Sequence, residues 1–166
     1  MGTTVYPHRE RQRVLLTGLL PDISTDPAIE TATDSVEAGR SGTIVAPVGI
    51  RPPLLAAVAT RAATPLVVLT ATGRDAETLT NALASWIPGV AMLPAWETLP
   101  HERLSPQVDT MARRIAVLRR LVHPVAGDES AGPISVLVVP IRAFLQPIIS
   151  GLADLEPVRV RAGDIM

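Results

Sequence analysis

Cysteine is absent from all 166 residues, so neither a disulfide nor a thiolate metal site is available, and an intracellular setting is the natural reading. Lysine is absent too: every one of the 15 basic residues is an arginine. That removes the point charge a phosphate-binding loop aims at β- and γ-phosphates, and the amine a Schiff-base enzyme needs. Aromatic residues make up 2% of the chain, which leaves Val, Leu, Ile and Ala to build any core. No apolar run approaches the ~20 residues that cross a bilayer, so the expected location is the cytoplasm. With a net charge of −1 there is no basic surplus of the kind that draws a protein to nucleic acid.

What is present points to one α/β domain with stiff connections. Apolar residues reach 47%, and the 16 prolines gather between apolar runs. A chain of this length buries roughly 70% of its unfolded surface when folded. Arg9, Arg11 and Arg13 precede the apolar stretch 14–20, but that stretch is short, interrupted by Thr17-Gly18, and lacks a small-residue cleavage pattern. Residues 1–42 therefore read as a flexible leader with one short helix near 14–20, because 22–42 is rich in Thr, Asp, Ser and Glu with little periodicity.

From residue 43 the pattern alternates. Strands are expected at 43–47, 66–70, 90–93, 134–139 and 157–160, and helices at 52–63, 73–87, 105–122 and 141–146. The uninterrupted apolar runs suit strands buried on both faces, which predicts a mostly parallel sheet with helices on both sides. The cleanest helical spacing is Val108, Met111, Ile115, Leu118 and Val122, at intervals of 3, 4, 3 and 4. Ser105 and Pro106 read as its cap and first position, and Arg113, Arg114, Arg119 and Arg120 fall largely off the stripe.

Three places invite chemistry. The turn Pro47-Val48-Gly49-Ile50-Arg51-Pro52 lies where a mononucleotide-binding fold would hold phosphate. Pro47, Pro52 and Pro53 remove three backbone donors, and no Lys-Thr pair follows, so an ordinary strand-to-helix connection is favoured. The second turn, 70–75, offers Thr72 and Gly73 either as a contact to phosphate or DNA backbone or simply as a helix cap, the safer reading. The third is the run 93–106, which carries Trp96, Glu97, His101, Glu102, Arg103 and three prolines. Its prolines forbid a regular helix or a central strand. Glu97, His101, Glu102, Ser105 and Asp109 suggest acid–base catalysis, but triad members normally come from separate elements. No metal-ligand spacing exists, since His8 and His123 lie elsewhere. The reading kept is an interaction surface formed by Trp96, Glu97, His101, Glu102, Arg103, Arg113 and Arg114, with Trp96 as a buried anchor.

Taken in order, 43–47, 65–74, the Trp96-Glu97-Thr98-Leu99-Pro100 run with Ser105-Pro106 and Asp109, Arg113-Arg114 and 136–140 resemble the N-terminal region of the bacterial transcription-repair coupling factor family. The match covers about 42–166. That region is similar in turn to the first domain of the excision-repair protein UvrB, a RecA-like helicase half. The resemblance implies a RecA/UvrB-like sheet whose phosphate-loop turn is degenerate, because the Gly-Lys-Thr element is missing from 46–53. It implies a UvrB-like first half-domain over 43–160 and the start of a next domain at 161–166, so that the chain looks like a fragment. The family's ATP- and magnesium-dependent DNA translocase motor, and its sites for RNA polymerase and most of UvrA, would lie beyond it. The fragment itself would be non-catalytic, hold no cofactor or metal, and pack against downstream domains. The rival reading is a small α/β nucleotide-binding or hydrolase domain.

Overall fold

A computed structural model describes residues 15–97, 107–128 and 130–156. Three strands, β1 (Leu66–Thr70), β2 (Val90–Met92) and β3 (Val136–Pro140), form a parallel sheet in the order β1-β3-β2. Leu66 pairs with Val136 on one side of β3, and Val90 pairs with Val136 on the other. β3 is central and buried along its whole length, as an unbroken Val/Leu run requires.

Alternation divides its side chains between two layers. Val136 and Val138 face Ala56 and Ala59 of α3 (Arg51–Arg61) and Ala76 and Leu83 of α4 (Gly73–Leu83). Leu137 and Val139 face Val117 of α5 (Val108–Val122) and Ala143 of α6 (Ile141–Phe144), with Ala91, Leu93 and Ile134. Helices thus cover both faces, as the sequence pattern predicts. Small alanines on α3 and α4 let the helices lie close to a sheet that has few aromatics to spare. Trp86 is the exception, packed against the edge of the first layer.

Several local expectations hold. Pro52 and Pro53 occupy the first turn of α3, where their missing donors have no intrahelical partner to lose. Thr72 caps α4: its hydroxyl oxygen accepts from the Asp75 N–H at 3.1 Å and donates to the Asp75 carboxylate at 2.7 Å. The turn 70–75 is therefore occupied by its own cap. Gly89, just before β2, has φ +73° and stands so close to Ser135 that a Cβ would lie 2.8 Å from the hydroxyl oxygen. Its carbonyl accepts from the Ser135 N–H at 2.8 Å, which starts β3 beside β2.

Other expectations need correction. Residues 22–42 contain α2 (Pro27–Glu37), preceded by the short α1 (Leu20–Ser24). Asp26 caps α2, accepting from the Ala28 N–H at 2.8 Å, with Pro27 in the first turn. Ile29, Ala32 and Thr33 are buried, the apolar pair against Leu54, Ala57 and Val58 of α3. The Thr33 hydroxyl donates to the Ile29 carbonyl at 2.6 Å, so its burial leaves no unpaired group. Arg61 closes the pair from the far end, reaching Glu37 at 2.8 Å and Asp34 at 2.9 Å. Upstream, Leu20 enters the first core layer and the Thr17 hydroxyl donates to the Trp86 carbonyl at 2.7 Å.

The expected strand at 43–47 is not a strand: no ladder reaches it, and Ile44 and Val45 are 54% and 96% exposed. A strand needs a neighbour to satisfy its backbone, and among the described residues none lies there. The α5 cap also differs. Gln107 stands at its N-cap with no side-chain hydrogen bond, while Ser105 and Pro106 lie outside the described residues, as does the strand expected at 157–160.

Candidate interaction site at the root of the proline-rich segment

β2 ends where the Leu93 N–H donates to the Val138 carbonyl at 3.0 Å, and the proline-rich segment leaves the sheet from there. Pro94 fixes φ and offers no donor, so the chain cannot continue as a laddered strand. Side chains from α5, α6 and the residues after α6 hold it instead. Arg114 Nη1 donates to the Pro94 carbonyl at 2.6 Å. The Gln146 amide grips both sides of Trp96, accepting from its N–H at 2.8 Å and donating to its carbonyl at 3.3 Å. Arg142 Nη2 donates to the Glu97 carbonyl at 3.3 Å. The Thr110 hydroxyl donates to the Glu97 carboxylate.

The centre of this clamp is Arg114. Its guanidinium lies 4.5 Å from the Trp96 ring centroid, and the residue is 1% exposed, the largest fully buried side chain described. Burial pushes its pKa down from the ordinary arginine value, though an arginine keeps its charge in any protein. Its Nε has no hydrogen-bond partner among the described residues. Among the described residues, the Trp96 ring face and the Pro94 carbonyl meet a cation that carries five donors.

The sequence pattern puts Arg113 and Arg114 on one exposed face, and the structure separates them. Arg113 is exposed and bonded to Asp109 at 2.9 Å, one turn back on α5. Arg114 points into the protein with Thr110, Val117 and Leu118, the residues α5 buries. The helix is thus rotated from its apparent apolar stripe, leaving Val108 79% and Val122 57% exposed. Arg120, also read as solvated, donates to the Gly132 carbonyl at 2.8 Å. Trp96 is half-buried and anchored as expected, but through its backbone and its ring face.

Glu97 is exposed, and its carboxyl sits below the ordinary glutamate range. The Thr110 hydroxyl is the main cause, with the Glu97 backbone N–H adding to it and the Arg142 charge contributing less. Glu97 and Asp109, both read as acid–base candidates, are thus committed to Thr110 and Arg113. His101, Glu102, Arg103 and Ser105 lie outside the described residues. His123 makes a 2.7 Å contact with Asp154 at the other end of α5. Among the described residues no group of three His, Asp or Glu side chains could hold a metal ion, and no helix is long and apolar enough to cross a membrane.

The loops after the three strands enclose a crevice of about 560 Å³ that Trp96, Glu97, Thr72 and Arg142 help to line. It sits at the carboxyl ends of the strands, where open α/β sheets carry their sites. The remaining turn, 46–53, is not among its walls. There Val48–Ile50 form a 3₁₀ turn, closed by the Ile50 N–H to the Pro47 carbonyl at 3.0 Å, that runs straight into α3.

Fold and site together define a doubly wound α/β domain that holds a proline-rich connection by its backbone carbonyls. Over 124 residues the chain is 47% identical to the transcription-repair-coupling factors of Mycobacterium bovis and Mycobacterium tuberculosis. That match takes in 74% of this chain, and the chain spans about a tenth of those relatives' length, or 10%. The resemblance to the coupling factors seen in the sequence therefore holds: most of the chain is similar to one segment of those much longer proteins. No protein-family model matches it.

Proposed function

We propose that the chain is a non-catalytic, UvrB-like scaffold module of a transcription-repair-coupling factor, acting in transcription-coupled nucleotide excision repair. In that reading the full-length protein uses ATP and magnesium to move on DNA, displaces stalled RNA polymerase and recruits UvrA in the cytoplasm. This module would extend to about residue 160, with the next domain beginning at 161–166, and would include α1 and α2, which pack into its cores ahead of residue 43. It orients its neighbours and supplies a contact surface.

The observation that carries the scaffold role is the clamp on the proline-rich segment. Within four residues, the carbonyls of Pro94, Trp96 and Glu97 are each held by a side chain from elsewhere in the fold. Such bonding fixes the point and direction from which a connection leaves the sheet, which suits presentation to a partner. The turn 46–53 supports the absence of a nucleotide site, since a phosphate needs successive free N–H groups and Pro47, Pro52 and Pro53 have none.

The test uses a full-length coupling factor carrying this segment. Trp96→Ala with Gln146→Ala is expected to weaken UvrA retention or polymerase displacement by roughly tenfold, about 1.4 kcal/mol, with ATP hydrolysis unchanged. Loss of hydrolysis with retention of both partners would place the segment in the motor's chemistry and defeat the reading.

A further inference from the structure

We draw no further inference here: the strongest candidate, the edge of β1 left free among the described residues, with Val67 and Leu69 half-exposed and Phe144 of α6 56% exposed, is an unpartnered apolar face, and nothing in the structure shows what covers it.

Discussion

Removing the stacking between Trp96 and Arg114 tests whether the clamp is an energetic unit. The perturbation is a double-mutant cycle of Trp96→Leu, Arg114→Met and the pair. Leucine keeps apolar bulk at 96 while deleting the π face, and methionine keeps the length of the arginine stem without the charge. A cation over an aromatic ring is worth about 0.5–1 kcal/mol when exposed and about 2 kcal/mol when desolvated. Here the cation is buried and the ring half-buried, at 4.5 Å, so the expected coupling is about 1–2 kcal/mol. The Arg114→Met single change should itself cost little. It forfeits a charged hydrogen bond to Pro94 worth about 1.5–3 kcal/mol, but it also relieves the several kcal/mol spent desolvating an ion. Arg114→Ala lacks the stem that fills the site, and is expected to cost about 2–4 kcal/mol. Urea unfolding followed by circular dichroism reads all four proteins. Additivity within about 0.5 kcal/mol would refute the reasoning. So would an Arg114→Met cost equal to that of Arg114→Ala.

Gly89→Ala combines a left-handed backbone with a Cβ 2.8 Å from the Ser135 hydroxyl oxygen, and is expected to destabilise by about 2–4 kcal/mol in the same assay. Asp26→Ala removes the cap of α2 and should cost about 1 kcal/mol, with earlier hydrogen exchange in 27–37 than in β3; no change in either would show that α2 is held by packing alone. The Glu97 carboxyl is depressed in the folded protein, so its stabilising effect is present above the unfolded glutamate value and is lost as pH falls through the lower folded value. Thr110→Val should shrink that acid dependence, and an unchanged pH profile would remove Thr110 as its cause. Val67 and Leu69 are exposed on a strand edge that no described residue pairs, which predicts self-association of the isolated chain, measured by light scattering; a clean monomer at high concentration would contradict it.

The sheet was legible because β1 and β3 are continuous aliphatic runs, although only β3 is buried along its whole length, while β1 leaves Val67 and Leu69 half-exposed. The helices after β1 and β2 announced themselves through Thr72 and through regular spacing. α2 was hidden, since beside Ile29 it buries only an alanine and a threonine whose hydroxyl is satisfied by its own helix; only Asp26-Pro27 marked its start. The segment 43–47 misled for the opposite reason, because its apolar composition matches a strand that here has no partner among the described residues.

The expected orientation of α5 failed along the helix, and most clearly at Arg114. Hydropathy counts Arg114 as surface, whereas its long stem and planar head can lie under Trp96 when a carbonyl waits at the end. Thr110, Arg142 and Gln146 carried no readable signal at all. Their partners at Trp96 and Glu97 lie 13 to 50 residues away, and no spacing rule reports such pairs. The Trp96-Glu97 run identified the relatives without revealing its contacts.

The proposal that this α/β domain has no nucleotide site is tested most directly by calorimetric titration of the purified chain with ATP and magnesium. No saturable heat up to millimolar ATP is the predicted result. Stoichiometric binding that disappears in Arg51→Ala would place a working phosphate site at 46–53 and contradict the account.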